Sequence, residues 1–513
     1  MIAKKSGFAS NVLLLASGTV LSQLISLLAA PITARLFSPF AFGVAAVFAA
    51  FTGVVLPVVC LRYENSILLP EKEEEAVNAL GLSLATVVGT TLLVGLFTSL
   101  FQHTLINYFH SPELQHYLWM IPLSIFAGGA FLPLSMWSVR TERFGLLTLT
   151  QVLGVLVAVG VQVGAGLSGH VTAGWLIGAS LAGTAVGTAL LAAQTVRESP
   201  GLITHYLRFS GIWYALKRYQ RFPRYSSGAT VLNGLSWQLP VFFLSSFFTE
   251  EVVGQFSLGN RVIRAPMNLV GGSIAKVFAQ RASEARHNQV LAETVEKVLR
   301  YLVILTLFPC LLLSLIGKDL FIVVFSAKWA EAGVYSQILS PWVCVWFISS
   351  PLSLVFVVLE EQRLEFGINV LILVSRFLSL LIGGLSGSPR VALALFSSSG
   401  VLVYGYYCLA ILSKSGVPAG NAFRILISHL LMFVPAGIVI LLLQWLSVPP
   451  IVILAAALLL VMIYYAFVLY GDAEARQALT GLLHSPLLRM KILGLTPSEA
   501  QQRTPSKELL RSR

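Results

Sequence analysis

Fourteen runs of predominantly apolar residues, most of them about twenty long, divide the chain, and they leave few folding options. In hydrocarbon every backbone N–H and C=O needs an internal partner, so a lone apolar run must be a helix. The runs lie near 12–34, 40–61, 78–101, 117–137, 146–167, 171–193, 228–248, 252–275, 300–317, 336–358, 366–386, 391–412, 424–446 and 451–470. At 1.5 Å per residue such helices cross a hydrocarbon core of about 30 Å. Of 513 residues, 56% are hydrophobic and 11% charged, against about 25% charged in soluble domains. The reading is an all-α polytopic membrane protein with about 14 transmembrane helices, or twelve if the last pair is set aside. Lys4 and Lys5 precede a first run of about 20 residues, longer than a signal-peptide core, so it reads as a retained span.

The net charge of +12 would suit nucleic acid, but its placement gives a better account. With the N-terminus inside, 27 of the 34 Lys and Arg residues fall in inner segments. Four (Arg35, Lys318, Lys328 and Arg390) fall in outer ones, and three (Arg261, Arg264 and Arg376) lie within spans. That bias is the positive-inside signature, and it puts both termini in the cytoplasm with no nucleic-acid partner.

One stretch occurs twice. S-G-T-V-L-S-Q-L at Ser17–Leu24 runs apolar to Phe37, turns at Ser38-Pro39 and reaches Gly43. S-G-A-T-V-L-N-G-L at Ser227–Leu235 runs apolar to Phe248, turns at Thr249-Glu250 and reaches Gly254. With one inserted residue, Ala229, the two copies align from Val20, Leu21 and Leu24 on Val231, Leu232 and Leu235. Six spans per copy give both the same orientation, a parallel repeat about an axis along the membrane normal. The expected organisation is an N-terminal six-helix lobe at 11–196 and a cytoplasmic connection at 197–224. A C-terminal six-helix lobe at 225–414, a helix pair at 421–470 and a cytoplasmic tail at 471–513 follow. In the connection, Tyr206, Phe209, Trp213, Tyr214 and Tyr219 mix with Arg208, Lys217, Arg218 and Arg221, which suits an amphipathic helix at the headgroups.

No outer segment carries a Ser/His/Asp or paired-carboxylate constellation, so no enzyme and no catalytic residue is expected. His103, His110 and His116 share an outer loop at spacings that miss a common helix face, and are read as surface histidines rather than a metal site. Cys60, Cys310, Cys344 and Cys408 lie in apolar runs and read as small buried hydrophobes.

The informative residues are charges inside spans. Arg261 and Arg264 would lie about 10 and 15 Å deep in span eight, sharing a face, and Arg376 about 15 Å deep in span eleven. A mid-membrane arginine costs roughly 2.5–3.5 kcal/mol, so all three should face a hydrated cavity, or else cap carbonyls between helices. Arg62 and Glu64 sit near the inner edge, two apart, and so do not face each other on a helix. Arg35 reads as a boundary anchor. Gln23, Asn233 and Gln238, on the repeated helices, either line the gap between lobes or join packed helices. A cavity with cations and no central carboxylate should attract an anion.

Residues 219–277, with Y-Q-R-F-P-R-Y-S and F-F-T-E-E-V-V-G-Q-F-S-L-G-N-R-V-I-R-A-P, resemble bacterial oligosaccharide and O-antigen flippases of polysaccharide biosynthesis. So do L-R-Y-E-N-S-I-L-L-P at 61–70, with its following acidic run, and the outer loop Lys328-Trp329-Ala330-Glu331-Ala332. That family belongs to the multidrug/oligosaccharidyl-lipid/polysaccharide exporter superfamily, two six-helix lobes forming a V around a central cavity. The resemblance implies a multi-pass protein of the bacterial inner membrane that moves an undecaprenyl-diphosphate-linked oligosaccharide between leaflets. The implied partners are that lipid-linked oligosaccharide, membrane lipid, and the polysaccharide polymerase and chain-length machinery. Arg261, Arg264 and Arg376, then Arg62, are the candidates to hold the diphosphate or acidic sugars, because guanidinium donates bidentate bonds to phosphate. Glu64, Gln23, Asn233 and Gln238 are the coupling or cavity candidates. No cofactor is expected; a coupling ion, H+ or Na+, is left open. The alternative is a drug or cation antiporter of the same superfamily, which would need deep acidic groups.

Overall fold

The computed structural model describes residues 8–471 except 110, 199–200, 202–204 and 268–270. The expected tail at 471–513 lies, apart from Gly471, outside the described residues, as do Lys4, Lys5 and His110. The described residues are helical throughout, with no strand. We number the α-helices α1 Phe8–Leu36, α2 Pro39–Val55, α3 Glu73–Leu100, α4 Gln102–Phe109, α5 Met120–Arg140, α6 Phe144–Leu167 and α7 Ala173–Glu198. After the connecting α8 Phe209–Arg218 come α9 Gly228–Phe247, α10 Glu250–Pro266, α11 Gly272–His287, α12 Leu291–Phe325 and α13 Ala330–Leu352. The last are α14 Leu354–Val358, α15 Gln362–Leu385, α16 Pro389–Ser415, α17 Ala419–Trp445 and α18 Pro450–Gly471.

Among the described residues, twelve segments are long and apolar enough to cross a membrane. The expected fourteen would add α9 and α10, which fall outside that group; α10 has 17 residues and carries Glu250, Glu251, Arg261 and Arg264. Both pack along α2. α1 packs on α6, α6 on α7, and α5 on α3 and α7; α12 packs on α13, α13 on α16, and α15 on α16. The two groups meet chiefly where α2 lies along α9 and α10. α17 and α18 pack on α12.

The meeting of α2 and α10 turns on the repeated glycines. A Cβ on Gly43 would lie 1.7 Å from the Glu250 carbonyl oxygen, and one on Gly254 1.8 Å from that of Pro39. Pro39 precedes Gly43 by four residues, as Glu250 precedes Gly254, so the contact is reciprocal in the manner of a two-fold interface. No side chain fits at either position. One matched apolar pair is open in both copies: Leu21 on α1 is 48% exposed and Leu232 on α9 54%.

One expected span is broken. Ser38 caps α2, its hydroxyl accepting from the Ala41 N–H at 3.2 Å, but α2 stops at Val55. A 3-10 turn at Leu56–Val58 follows, with left-handed Leu61 (φ 49°) and Arg62 (φ 67°) and a second 3-10 segment, Tyr63–Leu68. The separation of Arg62 from Glu64 expected on a helix is therefore overturned. Leaving the helix lets the Arg62 Nη1 reach the Glu64 Oε1 at 3.4 Å.

Candidate functional site

α10 carries Arg261 and Arg264 one turn apart, yet their surroundings differ. Arg261 crosses to the first group of helices, where its Nη2 donates to the Ser26 hydroxyl at 3.2 Å and to the Ser26 carbonyl at 3.4 Å. There it enters two adjoining cavities of about 280 and 440 Å³ that share Thr33, Gln162, Ser180 and Thr184. Neither cavity is lined by an acidic residue. Close approach of α6 to α7 shapes one wall, since a Cβ on Gly183 would lie 2.3 Å from the Gly154 carbonyl. Arg261 remains exposed within this space, as a cavity-facing cation should.

Arg264 turns to its own group. Its guanidinium lies 4.4 Å from the Trp237 ring centre and 5.1 Å from that of Trp346, and its Nε has no hydrogen-bond partner. Arg376 on α15 approaches the same indole, also at 4.4 Å. It donates to the Ser236 hydroxyl at 3.0 Å, the Ser236 carbonyl at 3.3 Å and the Tyr404 hydroxyl at 2.9 Å. Arg376 is 4% exposed, so the expectation that it faces a hydrated cavity does not hold. Three polar bonds and an indole face offset its desolvation and tie α9, α15 and α16 together.

The other candidates scatter. Arg62 pairs locally with Glu64, which is 4% exposed and keeps its Oε2 unpartnered. Gln23 and Asn233 are exposed on α1 and α9. Gln238 packs across the two groups, its Nε2 filling the space 2.4 Å from where a Cβ on Gly53 would stand.

Sequence reasoning missed a clasp at the outer end. Arg35, at the end of α1, donates to the carbonyls of Val323 at 2.9 Å and Val324 at 3.3 Å, at the end of α12. In return Lys328 Nζ donates to the carbonyls of Arg35 at 2.9 Å and Phe37 at 2.8 Å. Trp329, fully buried, donates its Nε1–H to the Ala34 carbonyl at 2.7 Å. Each helix end thus has its orphan carbonyls satisfied by cations from the other group. Gln255 on α10 holds the loop from both sides, donating to the Lys328 carbonyl at 2.7 Å and accepting from the Ala332 N–H at 2.9 Å. Among the described residues, α8 aside, hydrogen bonds between the two groups sit at this clasp and at Arg261–Ser26. The signal was the scarcity of outer cations. Of the four, Arg35 and Lys328 build the clasp, and Arg390 pairs with Glu331 at 2.5 Å.

The sequence matches the family described as polysaccharide biosynthesis protein over residues 32–334, more than half of the chain. No curated protein sequence matches it. Among solved structures, the lipid II flippase MurJ in an inward closed conformation is similar with a TM-score of 0.70 at 14% identity, covering 90% of this chain and 99% of that one. A multidrug resistance MATE family transporter of the MOP superfamily, in its outward-facing conformation, gives 0.56 at 12% identity, with 79% and 95% covered. A MATE family transporter in the inward-facing conformation gives 0.52 at 15%, with 78% and 93% covered. The chain belongs to the polysaccharide biosynthesis protein family and is built on the fold of the MOP-superfamily transporters.

Proposed function

We propose that the protein is a flippase that carries a polyprenyl-diphosphate-linked oligosaccharide, an O-antigen or exopolysaccharide repeat unit, from the cytoplasmic to the periplasmic leaflet. The observation that carries this reading is Arg261, a cation reaching from one group of helices into polar, acid-free cavities of the other. A diphosphate supplies the missing countercharge, and the hydroxyl and amide lining suits sugar. Arg261 makes the direct contact, Arg264 extends the cationic path, and Arg376 positions Arg264 through the shared Trp237. Arg62, at the inner edge, is the entry contact for the diphosphate. The lipid tail stays outside, along the open apolar face of α1 that includes Leu21, Leu24 and Leu28.

Transport then works by alternating access of two lobes, 11–196 and 225–414, joined by 197–224. The outer clasp closes the outer side; its release, with separation of Gly43 from Gly254, opens that side. Glu64, buried with a free carboxylate oxygen, is where a coupling proton or Na+ would act. Both termini lie in the cytoplasm of a bacterial cell, with the protein in the inner membrane beside the polymerase and chain-length machinery. A drug or cation antiporter on the same fold would need carboxylates along these cavities, and neither cavity has one.

The test is complementation of surface glycan in a flippase-null strain, with purified protein then assayed for flipping of lipid-linked oligosaccharide in proteoliposomes. Wild-type protein restores the glycan and flips the lipid. Efflux of cationic drugs with no effect on the glycan would overturn the reading in favour of the antiporter.

A further inference from the structure

The connection between the two groups builds a polar cavity of its own, about 310 Å³, where α3 and α8 both begin. Asn78 on α3 sets α8 there, accepting from the Arg208 N–H at 3.1 Å and donating to the Tyr206 carbonyl at 3.0 Å. Gly211 permits that approach, since a Cβ on it would lie 2.4 Å from the Asn78 Cγ. The start of α8 is uncapped: the Arg208 side chain makes no capping bond, and the first turn holds no acid. Its first N–H groups have no carbonyl within the helix to reach. Lys72, Arg208 and Arg218 line the cavity together with Glu74 and Glu75. Arg218 takes Glu75 at 2.6 Å, and Glu74 lies in the first turn of α3, where it offsets that helix's own positive end. Lys72 and Arg208 are exposed, and among the described residues neither side chain makes a hydrogen bond or ion pair. Tyr219, also of the lining, is 8% exposed, and its hydroxyl has no hydrogen-bond partner.

We propose that this cavity binds a phosphate oxyanion, carried by a membrane phospholipid headgroup or by a soluble phosphate. Arg208, Lys72, the Tyr219 hydroxyl and the first amides of α8 hold it. The proposal does not depend on the transport reading. A buried hydroxyl without a partner is costly, and an oxyanion accepts its hydrogen bond. The two free cations and the uncapped helix start supply the charge and the further donors that a phosphate takes. Phe209, 83% exposed, and Trp213, 52% exposed, stand on the same helix, as on one lying among headgroups, so both sources of phosphate can reach the cavity. Bound there, the anion ties α8 to α3 and fastens the connection to the first group of helices.

The test uses the full chain, purified in detergent and titrated with phosphatidylglycerol in one arm and inorganic phosphate in the other. Native mass spectrometry counts bound lipid, calorimetry follows phosphate, and hydrogen exchange reports on α8. Binding should slow exchange of the α8 amides. Binding of phosphatidylglycerol alone assigns the site to a headgroup, and binding of inorganic phosphate assigns it to a soluble phosphate. In the arm that binds, Tyr219→Phe should weaken the ligand about threefold, Arg208→Gln about tenfold and the Lys72→Gln/Arg208→Gln pair about fiftyfold. Arg424→Gln, which removes an exposed charge on α17, should leave binding unchanged. Absence of binding in both arms, or equal binding by wild type and the pair, overturns the site. Should the pair fail to fold, Ser210→Trp fills the cavity and keeps both cations; undiminished binding there overturns the proposal equally.

Discussion

Arg261 and Arg376 are expected at comparable depths and have the same charge, yet the protein treats them in opposite ways. Arg376 is enclosed by three helices and bonded to Ser236 and Tyr404. Arg261 stands open in a polar cavity, bonded among the described residues to Ser26 alone. Depth shows that an arginine has a purpose; the partners it already has show whether that purpose is structural. The comparison predicts a split. Arg261→Gln should leave the amount of membrane protein unchanged and lower transport ten- to hundredfold, the worth of one charge-assisted contact of about 1.5–3 kcal/mol. Arg261→Lys should recover part of it, keeping the charge but losing the fork. Arg376→Gln should instead reduce folded protein, lowering stability by about 3 kcal/mol, with transport per folded molecule within threefold of wild type. Surface-glycan complementation with quantified protein level separates the two, and identical behaviour of both variants would break the comparison.

An expected depth for these arginines was legible, because hydropathy marks where a span begins and 1.5 Å per residue does the rest. Their surroundings were not. The bonds of Arg376 join residues 140 and 28 positions away, and nothing local in the sequence says which face of α15 meets α9. Gly43 and Gly254, matched in the sequence, mark a backbone contact that admits no side chain, so their residue type records the packing. The break at Leu61–Arg62 was hidden, since neither residue is one that favours a positive φ. The hydrophobic run expected at 40–61 continues past the end of α2 at Val55, so the sequence reads there as an unbroken span.

A smaller effect sharpens the contrast at the level of single hydroxyls. Tyr404→Phe removes one bond to Arg376 and should cost about 1.5–3 kcal/mol, seen as a lower unfolding temperature of the purified protein. Ser26→Ala removes the bond to Arg261 in a cavity wide enough for water to replace it, and should change stability by less than about 0.5 kcal/mol. Comparable losses from the two substitutions would mean that the cavity around Arg261 is dry, and its role as an open anion site would fail.

Arg35 combines the two cases, being bonded to carbonyls as Arg376 is but joining the two groups of helices as Arg261 does. Bonds of that kind stabilise one arrangement of the groups, not the fold of either. Lys328→Met removes two donated bonds, and Trp329→Phe removes one while keeping most of the aromatic bulk beside Phe42, 5.0 Å away. Neither should reduce folded protein. Each neutral or partly exposed bond is worth about 0.5–1.5 kcal/mol, so Lys328→Met should shift the balance toward an opened outer end about tenfold and Trp329→Phe about threefold. Spin labels on Ser168→Cys and Ser386→Cys, exposed at the ends of α6 and α15, report the change with the native cysteines replaced. The expected result is a growing long-distance population, largest for Lys328→Met. An unchanged distance distribution together with a lowered unfolding temperature would place Lys328 beside Arg376 as a structural cation and remove the clasp from the transport cycle.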